Sequence, residues 1–520
     1  MGQGPTATLL QQIFEGDPLA CPNCHGAMRI VACITQPSVI DQILTHLRTR
    51  AAREAHAEPQ SPPSTRVAAS REASRAPRPF ADAPAVPPAR RIGPRRHRSP
   101  HGARRSHGPR GARTSRRARR HPPVGARAGG DRVVYSTDPD RNSYPDARPG
   151  ADHIDQRAFN ENTFPAAAWN KFAIAYTQTV RAVRALNQYA PAGATRNRDI
   201  GQLYALQGIT FNIAGELFCN GVPLSTVNDA APEAATLVTT QQMYQRAIAQ
   251  ADSALATLGT AATDQNFRYL ARIAKARAQL KLNQLDAAAA TVSAGGDGAS
   301  SIAIPTGWQY QVEYSQTTLV NTIFDWMVNT ANFGPSDREG GNGLDYRTAF
   351  DPRVNITTTS RLGQDGSTQV FTILGYANGS APTTPVSGVT ARMIEAEAAL
   401  RRNDVALWLS KLSEARADAT VRSLRGIGTS PDVLPALTNP GSADGHITLM
   451  FRERAFWFYL TATRVGDLRR LQRQYGRAAS AVWPTGAYFK GGTYGNDVTL
   501  TPSFAERNNT AFAGCSDRNP

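Results

Sequence analysis

Three sets of side chains in this sequence could carry chemistry, and their spacing limits what each could do. Cys21-Pro22-Asn23-Cys24 sets two thiolates across a tight turn before Gly26, a knuckle that could grip one face of a tetrahedral zinc. His25 and Cys33 are the nearest further ligands, and their spacing is not that of a second knuckle. Carboxylates form the second set. Glu395 and Glu397 could act as an acid–base pair, but two residues apart on a helix they face different sides and read as structural charges. Glu453, Arg464 and Asp467 lie among large apolar side chains, where charges must be paired, as a catalytic cluster or as a structural ion network. Aromatic residues form the third set. Trp308, Tyr310, Tyr314, Trp326, Tyr346 and Tyr376 stand beside Asn, Gln and Arg. Their flat faces suit sugar C–H faces and hydroxyls, or peptides; ordinary packing is the competing reading for each. The sequence carries no phosphate-binding glycine loop, nucleophile elbow or zinc-helix motif, and no cofactor is expected.

The elements that must position these residues are mainly helical. Phe172, Tyr176, Val180, Val183 and Leu186 make one helical stripe, and Leu206, Ile209, Ile213 and Leu217 another. The second ends at Asn220-Gly221, with Pro223 just beyond. Tyr244, Ala247, Ile248, Ala251, Leu255 and Leu258 continue the pattern. Phe451, Ala455, Phe458, Ala462 and Val465 predict one amphipathic helix running through that stretch. An internal repeat appears at an offset of 120: Ala274, Ala276, Ala278, Leu280 and Asn283 align with Ile394, Ala396, Ala398, Leu400 and Asn403. Each copy reads as a small-residue helix, a polar turn and a second helix, as in tetratricopeptide-like hairpins. Between the copies, residues 300–385 are loop-like and hold the aromatic set.

The chain has 520 residues, long enough for more than one core, and a formal charge of +17. Mapping that charge changes its meaning. Residues 66–132 contain nineteen arginines against three acids, so sixteen of the seventeen net positive charges lie there. Residues 56–132 hold almost no large apolar side chain and are expected to be a disordered basic linker. Contact with polyanions would be nonspecific, since no aromatic is interleaved to stack on bases. Seven of nine histidines precede residue 122, which argues against histidine metal or acid–base sites farther on. No apolar run is long enough to span a bilayer, and the start at Met1 lacks the pattern of a secretory signal. Ile30-Val31-Ala32-Cys33 is not read as a lipoprotein cleavage box, because the residues before it are not apolar.

Two resemblances organise these pieces. Glu453, Arg454, Arg464, Asp467, Leu468 and Arg470, followed by Pro502, Glu506, Asn508 and Asn509, resemble the C-terminal signature of SusD/RagB-family nutrient-binding outer-membrane lipoproteins. DPRV from Asp351 and IEAEAALRRND from Ile394 are similar to further stretches of that family. Thr390 stands where the family usually has Glu, so a local salt bridge is expected to be missing. Residues 1–55, with DPLACPNCHGAMRIVA, resemble the C-terminal end of rolling-circle insertion-sequence transposases. That fragment has neither their tyrosine nucleophile nor their His-x-His site, so Cys21 and Cys24 read as a vestigial knuckle.

The expected organisation is a transposase-like fragment at 1–55, the linker at 56–132 and a SusD/RagB-like domain at 133–520. The resemblance implies a tetratricopeptide-like scaffold with an irregular inserted lobe. It implies a non-enzymatic protein that binds an oligosaccharide or peptide and works with a SusC-like TonB-dependent transporter at the outer membrane. It makes Glu453, Arg464 and Asp467 a structural network and places ligand contacts on loop aromatics. Cys219 and Cys515 are either free thiols or a disulfide pair. Two other functions stay open: a glycan-active enzyme using paired carboxylates, and a DNA-associated protein acting through residues 1–132.

Overall fold

The computed structural model describes residues 141–143, 156–158, 165–227, 235–298, 301–329, 333–362, 369–489, 491–512 and 514. The knuckle cysteines Cys21 and Cys24, the basic linker and Cys515 lie outside the described residues.

The scaffold grows from helices close enough to touch through their backbones. Helix α1 (Pro165–Tyr189) leads into α2 (Ala194–Leu217), α3 (Thr240–Thr257), α4 (Gln265–Lys281) and the short α5 (Leu285–Val292). Along α2, glycines recur every seven residues. A Cβ on Gly201 would fall 2.4 Å from Leu258, and one on Gly215 would fall 2.7 Å from the Tyr244 ring. Gly208 faces the backbone of α3 and Ala274 of α4. Ala247, Ala251, Ala254, Ala271 and Ala274 have no exposed surface, so α2, α3 and α4 pack through small residues. Asn212 sits inside this contact and donates to the Gly208 and Ala274 carbonyls at 3.0 and 2.8 Å, which pairs its amide N–H groups in an apolar seam.

The repeat read from the sequence forms two helical hairpins. The α4–α5 turn and the turn between α6 (Gly388–Arg401) and α7 (Val405–Ala417) each place an asparagine in the left-handed region, Asn283 at φ 61° and Asn403 at φ 59°. In each, the next residue bonds back across the helix end: Gln284 N–H to Gln279 O and Asp404 N–H to Ala399 O, both 2.9 Å. Although 95 residues separate Val292 from Gly388, α5 packs directly on α6, so the hairpins stack side by side. The intervening segment folds outward as the expected lobe. Two antiparallel strand pairs organise it: Gln309–Val312 with Thr383–Ser387, and Ile356–Leu362 with Gln369–Ile373.

The single helix expected through residues 451–465 is broken. After α8 (Ala419–Leu424), helix α9 (Ala443–Trp457) stops, and α10 (Arg464–Arg473) begins after six intervening residues. In the turn, Leu460 (φ 63°) and Ala462 (φ 59°) adopt left-handed backbone. Phe451, Ala455, Phe458 and Val465 are all buried, because the turn folds back onto the same core. Burial on both sides of the turn imitates helical periodicity, while Thr461 and Thr463, weak helix formers, hydrogen-bond locally instead. Among the described residues, no helix is long and apolar enough to cross a membrane.

Candidate functional site

The lobe presents a cleft of about 790 Å³, within the range of small-ligand sites. Its walls come from three short segments. Ser315 donates its N–H to Leu319 O at 2.9 Å, closing a tight loop that carries Gln316. Asn321, fully buried, accepts from Ile323 N–H at 2.8 Å and so starts the helical turn Thr322–Phe324. The same side chain donates to Ala381 O at 2.6 Å, and its backbone N–H donates to Gly379 O at 2.8 Å. One residue thereby ties the 378–381 turn to the helical turn opposite. A Cβ on Gly379 would lie 3.0 Å from Val320 and 3.6 Å from Phe324, so glycine lets this turn close on the cleft floor.

The lining combines two rings, Tyr314 and Phe324, with the polar side chains of Gln316, Asn329 and Asn378. Asp325 and, from α1, Lys171 add one charge of each sign. Asp325 accepts from the Asn329 amide at 2.9 Å, and the Tyr314 and Thr383 hydroxyls share a hydrogen bond of 3.3 Å. Rings flanked by amides can stack on an apolar face while hydrogen-bonding the groups around its edge.

The six aromatic residues expected at a ligand site do not form one surface. Tyr314 lines the cleft. Trp308 packs edge-on against Tyr269 with centroids 5.6 Å apart and donates to Asn266, and Tyr310 accepts from Gln202 of α2, so both seat the lobe on the scaffold. Trp326 is 7% exposed and Tyr346 1% exposed, the latter packed on Phe456 and Tyr459. Tyr376 joins that core, and burial pushes its hydroxyl up to about 12. These five side chains pack the lobe or seat it on the scaffold, and only Tyr314 of the six lines the cleft. Phe324, which lines the cleft, was not among those named from sequence: the helical turn Thr322–Phe324 runs into a π-helix at Asp325–Asn329, so no regular period marks which side it faces.

The carboxylates expected as one cluster fall into two buried networks. Glu453 binds Arg353 through both oxygens, at 2.7 and 3.1 Å, and Arg416 at 2.8 Å. Arg353 also binds Asp351, so this network joins the lobe to α7 and α9. Burial pushes the Asp351 carboxyl up, but Arg353 more than offsets it and holds the group below its ordinary range. Asp467 binds Arg454 at 2.7 Å, Arg470 at 3.2 Å and Lys281 at 3.5 Å. Burial acts upward on Asp467 too, and Arg454, Lys281 and Arg464 together bring it below its ordinary range. Arg464 itself is half-buried. Glu395 and Glu397 face opposite sides as expected: Glu395 meets Arg392 and Lys411, while Glu397 meets Arg470, Arg454 and Tyr475. A general acid needs an open approach to its substrate; these carboxylates are buried against cations instead. Among the described residues, no group of three or more His, Cys, Asp or Glu is placed to hold a metal. Cys219 is disulfide-bonded.

No protein-family model matches this sequence, and no curated protein sequence matches it. Solved structures do. A SusD superfamily protein from Parabacteroides distasonis aligns at TM-score 0.54 with 8% identity, covering 74% of this chain and 92% of that one. A laminarin-binding SusD-like protein aligns at 0.53 with 12% identity, covering 76% and 95%. A SusD superfamily protein from Bacteroides fragilis aligns at 0.52 with 14% identity, covering 74% and 93%. At these identities the likeness is one of fold. The chain has the mainly helical SusD-like fold, a tetratricopeptide-like scaffold with an inserted lobe.

Proposed function

We propose that this protein is a non-enzymatic nutrient-binding protein that holds an oligosaccharide or a peptide in the lobe cleft. The observation that carries the reading is the cleft itself: two rings and three amide side chains on short segments braced by Asn321 against a rigid scaffold. Binding needs such a surface and no bond-making group, and the buried carboxylates are occupied in holding the scaffold together. The C-terminal signature resembles that of a family of outer-membrane lipoproteins, so the partner in this reading is a SusC-like TonB-dependent transporter at the outer membrane. No cofactor enters the mechanism. Capture occurs by stacking and hydrogen bonding, and release by loss of those contacts.

Affinity electrophoresis of the full chain through gels containing laminarin, starch or xylan tests the saccharide arm, and a tryptic casein digest in solution competes for the peptide arm. Retardation by one polysaccharide, or its relief by peptides, is expected. Unretarded migration in every gel with no peptide binding by calorimetry would overturn the reading. The enzymatic alternative predicts new reducing ends in the same incubations.

A further inference from the structure

The strand Gln309–Val312 runs into the lobe cleft, and its alternation continues there. Val312, Tyr314 and Gln316, at every second position, line the cleft, while Glu313 and Ser315 between them do not. Among the described residues the strand pairs on one edge only, with Thr383–Ser387, in a two-stranded sheet. Gln311, Val312 and Glu313 are all exposed, so the open edge lies at the surface. Such an edge is a template for another extended chain. The pairing register shifts between Tyr310 and Val312, an irregularity of the kind that re-aims a side chain beside a site. Tyr310 before it accepts from Gln202 on the scaffold, and Val312 after it reaches the cleft. The lip of the cleft is aliphatic: Val312 is 38% exposed and Leu319 59%, with Val320 half-buried next in the chain. Lys171 and Asp325 add one cation and one carboxylate.

We propose, resting on the nutrient-binding reading of the cleft, that its occupant is a peptide held in extended form along the open edge of Gln309–Val312. A strand added there lies about 4.8 Å away and sets every second side chain on the face shared by Val312, Tyr314 and Gln316. Those side chains enter the cleft towards Leu319, Val320 and Phe324, while peptide N–H groups donate to strand carbonyls and peptide carbonyls accept from strand N–H groups. The aliphatic lip decides between the two nutrient classes. Covering Val312 and Leu319 gains free energy against an apolar side chain, which gives up little hydration. A saccharide ring covered in hydroxyls loses hydrogen bonds to water against the same groups and regains none. One cation and one carboxylate also match the two ends of a short peptide, whereas a neutral glucan offers neither charge. Recognition through the main chain tolerates varied sequence, so the alternate apolar positions set the preference.

The test is capture from a tryptic casein digest on the immobilised full chain, with laminarin as the competing saccharide. Retained casein peptides of differing sequence are expected, with apolar residues at alternate positions, and laminarin should neither bind nor displace them. The most strongly retained peptide is then synthesised with single backbone N-methyl groups along its length. N-methylation should weaken binding about tenfold at alternate positions and little between them, since only every second N–H of an added strand meets the edge. Val312→Asn should lower the affinity about tenfold at unchanged Tm. An N-methyl profile without that alternation overturns strand addition. Saturable laminarin binding that Tyr314→Ala abolishes overturns the peptide assignment and leaves the nutrient-binding reading standing. Retention of neither peptide nor laminarin overturns both.

Discussion

Replacing Glu453 by glutamine keeps the shape of the side chain and removes the charge that two buried guanidiniums share. Arg353 loses both charge-assisted contacts, at 2.7 and 3.1 Å, and Arg416 loses one at 2.8 Å. Breaking a buried ion pair from one side costs about 3–5 kcal/mol, because the abandoned charge stays desolvated. Arg353 keeps Asp351 at 2.6 Å, and Arg416 keeps its bond to the Pro435 carbonyl, so the lower end applies. The expected loss is about 3 kcal/mol, a roughly 150-fold shift toward the unfolded state. Urea unfolding followed by tryptophan fluorescence should show a lower midpoint with an unchanged slope. Because Arg353 belongs to the lobe and Glu453 to α9, hydrogen exchange at residues 351–356 should accelerate more than exchange in α4. A loss under 1 kcal/mol, or acceleration spread evenly over both regions, would refute the assignment of Glu453 as the tie between lobe and scaffold.

Asn403→Ala should cost about 1 kcal/mol in the same assay while Asn403→Gly stays near neutral, since only the first strains the left-handed backbone at φ 59°. Asp345, Asp351 and Asp467 all have folded pKa values below their unfolded ones, so their contribution is intact above the unfolded value of about 3.9 and is lost as pH falls below it. The urea midpoint should therefore hold steady from pH 7 to 5 and fall steeply below pH 4. Non-reducing peptide mapping should recover the Cys219 peptide linked to the Cys515 peptide; recovery with any other cysteine contradicts that pairing.

The scaffold was more legible than the site. Alanine-rich repeats with an asparagine at equivalent turns describe a local device, and Asn283 and Asn403 perform it within a few residues of themselves. The stripes of α1, α2 and α3 were legible for the same reason: burial follows a short period along one helix. Contacts across the lobe have no such period. Tyr346 is buried by Phe456 and Tyr459, more than a hundred residues away, while Phe324 reaches the cleft because Asn321 pins the turn before it. Choosing aromatics by type alone therefore mixed cleft residues with core. Phe451 to Val465 misled in the opposite sense. Its periodicity was real, but it came from two elements packed on one core across a left-handed turn.

The central claim is that the lobe cleft binds a nutrient without transforming it, and calorimetry on the full chain with and without Tyr314→Ala tests it most directly. Laminarin and the casein digest serve as titrants, with reducing-end release monitored in the laminarin arm. The account predicts saturable binding of one titrant, no released ends, and a loss of about tenfold or more in affinity for Tyr314→Ala at unchanged Tm. Equal affinity in the variant, no binding of either titrant, or released reducing ends that vanish with Asp325→Asn would contradict it.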